Sequence, residues 1–153
     1  MSSPETNWAD YYKAVYNRPP HATLVKALNA FDGAKHFEQF AIDLGCGNGR
    51  DSLELLKRGW SVLAIDKEAK GLEQLCSQVS DEQKSRLKTR VVAFEELKDL
   101  PSCNLINASF SLPFCSPSYF EKLWEIIVRA IQQNGRFAGT FLERKMAGRK
   151  IRP

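Results

Sequence analysis

The segment Ala41-Ile42-Asp43-Leu44-Gly45-Cys46-Gly47-Asn48-Gly49-Arg50 constrains the fold more than any other part of this chain. Phe40 to Leu44 is a short, mostly apolar run that ends in glycines. Asp51 to Arg58 then places Leu53, Leu55 and Leu56 at helical spacing before Gly59 stops the run. A strand, a turn and a helix therefore follow one another. Glycines at 45, 47 and 49 allow backbone dihedrals that other residues tolerate poorly, and they let the chain approach a ligand closely. They also leave amides free at a helix N-terminus, where the backbone dipole favours an anionic group. Ser61 to Asp66 reads as the next strand, ending in an acid where a doubly wound sheet presents one to ribose hydroxyls. The 23 residues from Asp43 to Asp66 suffice for strand, turn, helix and return. This is the layout of a nucleotide-cofactor pocket.

The glycine spacing separates two cofactor classes. A dinucleotide fingerprint wants glycine at the first, third and sixth positions, and the sixth position counted from Gly45 is Arg50. The remaining sequence alternates in the same way. A helix is expected at about 22–31, strands at 40–44, 61–66, 89–94, 104–110 and 135–142, and helices at about 51–58, 68–79 and 117–132, with a short polar stretch at 80–88. Phe120, Leu123, Trp124, Ile127 and Ile131 recur at steps of three and four, the stripe a helix lays on a sheet, and Asn134-Gly135 reads as its stop. The expected fold is α/β, a doubly wound, mostly parallel Rossmann-like sheet of about five strands with helices on both faces.

With Asp43 ahead of Gly-x-Gly-x-Gly, and with Ile65-Asp66-Lys67, the chain resembles class I S-adenosylmethionine-dependent methyltransferases, most closely the tellurite-resistance and thiopurine-type branch. Asn104 to Phe110, followed by Ser111-Leu112-Pro113-Phe114-Cys115, resembles the fourth strand and following loop of that group. The resemblance implies S-adenosylmethionine as cofactor and a small-molecule methyl acceptor. It implies that Asp43, Gly45, Cys46, Gly47, Asp66 and Lys67 line the cofactor pocket. Asp66 would meet the ribose, Asp43 would orient the methionine ammonium or only hold the turn, and Glu95, with Glu96 as its rival, would lie near adenine. Asn107 and Ala108 would flank the sulfonium. The aromatic segment with Trp8 and Tyr12 would form a lid at about 1–20 that meets the substrate, and Arg18 would reach the methionine carboxylate; the alternative is an amphipathic helix packed on the sheet. Tyr12 and His21 could remove a proton from an oxygen or nitrogen acceptor, although a structural role suits both, and no catalytic residue is assigned. Against the seven-stranded sheet of that family, the sequence after 142 offers no final hairpin. One domain over 1–142 and a basic tail at 143–153 are expected, with a sheet edge left open through which two copies could pair.

Composition narrows the alternatives. Cys46, Cys76, Cys103 and Cys115 are scattered, with no C-x-x-C pair and two histidines in the chain, so neither zinc nor a disulfide framework is indicated. No apolar run approaches a membrane span, the N-terminus lacks the layout of a secretory signal, and a cytoplasmic location is expected. From Leu142 to Pro153 there are five basic residues and one acid, which equals the whole net charge of +4. The body is neutral, and no nucleic-acid partner is expected. Three readings remain: a small-molecule methyltransferase, a cofactor-binding domain without turnover, and a nicotinamide-dependent oxidoreductase disfavoured by Arg50.

Overall fold

A computed structural model describes residues 18–31 and 39–140. The order of elements is α1 (Ala22–Phe31), β1 (Phe40–Leu44), α2 (Arg50–Lys57), β2 (Ser61–Asp66), α3 (Ala69–Gln78), α4 (Asp81–Lys84), β3 (Leu87–Val91), β4 (Cys103–Ala108), α5 (Phe120–Ala130) and β5 (Ile131–Gly139). The five strands form one sheet in the order β3-β2-β1-β4-β5, and every pairing is parallel. Chain direction across the sheet reverses between β1 and β4, which places the switch-point crevice at their carboxyl ends.

Both faces of the sheet are covered, because β1, β2 and β4 are apolar on both sides. Ala41, Val62, Ala64 and Leu105 pack with Leu24 and Leu28 of α1, Leu55 and Leu56 of α2, and Leu72 and Leu75 of α3. Ile42, Leu44, Leu63, Ile65 and Ile106 face the other way, against Leu123 and Ile127 of α5 and against Leu97 and Leu112 from loops. Near-continuous burial of β1, β2 and β4 is what a parallel sheet between two layers requires. No helix among the described residues is long and apolar enough to cross a membrane.

The structure moves several boundaries. The strand expected at 89–94 lies at Leu87–Val91, and Phe94–Glu96 forms a 3-10 turn. The polar stretch at 80–88 contains α4, which Ser80 starts with a capping box: its hydroxyl accepts from the Gln83 amide while the Gln83 side chain accepts from the Ser80 amide. The fourth strand stops at Ala108, two residues early, and a 3-10 turn follows at Leu112–Phe114. Asn134-Gly135 does not stop α5. That helix ends at Ala130 and β5 begins at Ile131, so Asn134, with a left-handed φ of 67°, lies inside the strand. It occupies an irregularity where the register jumps from Cys103↔Ile131 to Leu105↔Arg136. The extra residues on β5 bulge out there, and the turn-forming pair serves the bulge.

Candidate functional site

Asp43 and Asn107 face each other on neighbouring strands at the switch point. The turn after β1 is held from β2: the Gly45 and Cys46 amides both donate to the Ile65 carbonyl, at 2.8 and 3.1 Å. The Gly47 amide donates to Asp66 Oδ2 at 2.9 Å, and the Glu68 amide donates to Asp66 Oδ1 at 2.8 Å. Asp66 thereby ties the glycine turn to the end of β2. Gly45, Gly47 and Gly49 all have left-handed φ, as the spacing requires. Two of them also make room for the protein's own side chains. A Cβ on Gly45 would lie 2.3 Å from the Ser111 Cβ and 3.3 Å from the tip of the Phe94 ring. A Cβ on Gly49 would lie 2.4 Å from Leu75. The protein's own packing therefore already requires glycine at these two positions.

A buried polar network begins beside this turn. Asp43 is 2% exposed; its Oδ2 accepts from the Ser52 hydroxyl at 2.7 Å and its Oδ1 from the Asn107 amide at 3.0 Å. The same Asn107 nitrogen donates to Asp51 Oδ2 at 2.9 Å. Asp51, 4% exposed and in the first turn of α2, also accepts the His21 backbone amide at 2.9 Å and lies 2.9 Å from the His21 Nδ1. Arg50 contacts both nitrogens of that ring. Burial and the neighbouring Asp51 charge push the Asp43 carboxyl up to about 7. Burial acts in the same direction on Asp51, but the His21 ring and amide hold its carboxyl below the usual carboxylate range. The Cys46 thiol is pushed well up by burial and by Asp43 and Asp66, so it stays protonated.

The structure gathers Asp43, Gly45, Cys46, Gly47, Asp66, Asn107 and Ala108 at the carboxyl ends of β1, β2 and β4, with Lys67 exposed one residue beyond Asp66. Arg18 is exposed and lines a cleft of about 220 Å³ along α2, with Asn48, Arg50, Leu53, Glu54, Lys57 and Gln78. Glu95 is exposed, and its Oε1 accepts the Ser116 amide at 2.8 Å, joining two loops. Trp8 and Tyr12 lie outside the described residues, as does the basic tail. Asp51, Ser52 and Ser111 were not singled out by sequence, although an acid one residue into the helix after a glycine turn is a signal for Asp51. Phe110 is a further addition: a half-exposed aromatic with a φ of 56°, its ring 5.3 Å from that of His21. A bulky residue in that conformation stores strain, which concentrates at functional sites. The four cysteines are free, three buried and Cys76 exposed, and no cluster of metal-ligating side chains occurs among the described residues.

A sequence model of the tellurite resistance protein TehB family matches residues 5–139. Among solved structures, TehB from Haemophilus influenzae superposes with a TM-score of 0.68 at 20% identity, over 85% of this chain and 44% of that one. The TehB-like SAM-dependent methyltransferase from Corynebacterium glutamicum gives 0.67 at 20% identity, over 88% and 71%. The glycopeptide N-methyltransferase MtfA complexed with S-adenosyl-L-methionine gives 0.61 at 13%, over 80% and 56%. These likenesses show a shared Rossmann-like methyltransferase fold, and the chain spans less than half the length of the Haemophilus protein. No curated protein matches the chain. Because the family match takes in every strand of the sheet and the whole polar network at its carboxyl end, the chain belongs to the tellurite resistance protein TehB family.

Proposed function

We propose that this chain binds S-adenosylmethionine at the carboxyl ends of β1, β2 and β4 and supports methyl transfer to a small-molecule acceptor. The observation that carries this reading is electrostatic. Asp43, Asp51 and Asp66 are 2%, 4% and 8% exposed around one glycine turn; among the described residues the basic side chain bonded to them is His21, which serves Asp51, while Arg50 bonds to the His21 ring. A pocket of that sign suits a ligand with an ammonium and a sulfonium. It repels a pyrophosphate, and the missing sixth-position glycine disfavours a dinucleotide in the same direction.

The donor set fits the cofactor. Each Asp66 oxygen accepts one backbone amide and keeps a second lone pair for a ribose hydroxyl. Asp43 and the turn at Gly45 and Gly47 favour an ammonium, while Asn107 and Ala108 form the floor on which the sulfur end would rest. Glu95 braces the adenine side through Ser116. The cofactor supplies a methyl group activated by positive sulfur. The protein's part is to hold an acceptor in line with it, and such positioning can contribute about 7–11 kcal/mol of the barrier. A soft acceptor such as a thiol or a metalloid anion needs no base, and none is assigned. A lid from the segment with Trp8 and Tyr12, pairing of two copies through the outer edge of β5, and a cytoplasmic location complete the proposal.

Calorimetric titration with S-adenosylhomocysteine and with NAD tests the reading. Micromolar binding of S-adenosylhomocysteine alone supports it, and binding of NAD alone overturns it. Turnover assays on thiols and metalloid anions then separate a transferase from a domain that binds without transferring.

A further inference from the structure

We propose that Asp43 holds a proton while the site is empty and gives it up when a ligand ammonium settles beside the glycine turn, so that ligand uptake is proton-coupled. This inference rests on the cofactor reading above and adds the group that responds.

The groups around Asp43 carry the argument. On β1 it is 2% exposed, and among the described residues its two oxygens are bonded by neutral donors, the Ser52 hydroxyl of α2 and the Asn107 amide of β4. Across that amide stands a second carboxylate, Asp51, from the first turn of α2. Asp66, at the end of β2, adds a third negative charge. The Cys46 thiol in the turn is protonated and contributes no charge. His21 and Arg50 reach the network only at its far end, where they bond to Asp51 or to each other. Among the described residues every group that faces Asp43 is therefore neutral or negative, and an ionised Asp43 would be a buried charge with no counter-ion among them.

The hydrogen bonds accommodate both states. With Asp43 ionised, the Ser52 hydroxyl donates to Oδ2 across 2.7 Å. With Asp43 protonated on Oδ2, the bond reverses and the carboxyl donates to Ser52, while Oδ1 still accepts from Asn107. No other partner has to move. Burial and Asp51 place this exchange near neutral pH, and a ligand ammonium supplies the missing positive charge. The proton leaves to solvent as that charge arrives. Affinity therefore rises as pH rises through about 7 and falls on the acid side.

The test is titration of the full chain with S-adenosylhomocysteine in two buffers of different ionisation enthalpy. The expected result is release of roughly half a proton per ligand at pH 7, increasing toward pH 6 and fading above pH 8. Asp43→Asn should bind with no proton release. 5′-Methylthioadenosine keeps the nucleoside and the thioether but lacks the ammonium, and it should release none from the unaltered protein. That ligand decides the matter if the variant does not fold. Binding of S-adenosylhomocysteine with heats identical in both buffers at pH 6 and 7 overturns the inference and leaves the cofactor reading standing. Proton release that persists in Asp43→Asn also overturns it. No binding in any buffer by folded protein overturns the cofactor reading itself.

Discussion

Asp43 and Asp51 are joined through one amide nitrogen and respond to pH in opposite directions. The folded Asp43 carboxyl is raised from 3.8 to about 7, so its contribution to stability is present below the unfolded value and is lost as pH rises through about 7. Asp43→Asn keeps the shape and removes the charge. It should stabilise the ligand-free protein at pH 8 by on the order of 1–3 kcal/mol, with the gain shrinking toward pH 5, as thermal melts at the two pH values will show. Asp51 is lowered, so its contribution is present above the usual carboxylate range and is lost as acid protonates it. Asp66 acts at the same scale but through the ligand. Asp66→Ala should weaken S-adenosylhomocysteine binding by about 1–3 kcal/mol, and unchanged affinity by calorimetry would remove Asp66 from the site. Asp66 was legible in the sequence because it ends an apolar run one crossover after the glycine turn. Asn107 and Asp43 were both singled out by the sequence, but the bonds from Asn107 to Asp43 and Asp51 were not legible, since those carboxylates lie 64 and 56 residues away in the chain.

Glycine has different reasons in different elements. Gly49, at the start of α2, combines a φ of +87° with Leu75 at 2.4 Å from any added Cβ. Gly59, after α2, has a φ of +90° with nothing within 4 Å. Gly49→Ala should therefore cost about 2–4 kcal/mol, from backbone strain and overpacking together, while Gly59→Ala costs about 1 kcal/mol from strain alone. Urea unfolding of the two variants checks the difference. The stripe of α5 makes a companion prediction: Ile127 is fully buried between that helix and the sheet, and Ile127→Ala should cost about 2–5 kcal/mol in the same assay. The stripe itself was readable from spacing, because burial of one helical face imposes the period. The end of α5 was not. Asn134-Gly135 has the chemistry of a helix stop, and the same left-handed preference is used inside β5 to absorb a register jump against β4.

At the scale of the whole molecule, the sheet order brings the parts of the site together. β1 is followed in sequence by β2 but flanked in space by β2 and β4, so its polar end meets Asn107 on one side and Asp66 on the other. The sequence alone determined the alternation of strands and helices, the left-handed glycine turn and the placement of Asp43 and Asp66 at strand ends. Those features follow from hydrophobic period and backbone sterics, which act within a few residues. Tertiary structure decided the rest. Gly45 must be glycine because Ser111, whose hydroxyl donates to the Leu44 carbonyl, packs against it from the loop after β4. Arg18 shares a cleft with Asn48 and Arg50 and with side chains of α2. His21, ahead of α1, reaches Asp51 across 30 residues of chain. The charge of Asp43 is set by burial beside a second carboxylate, and burial depends on which strands become neighbours, which no local pattern records.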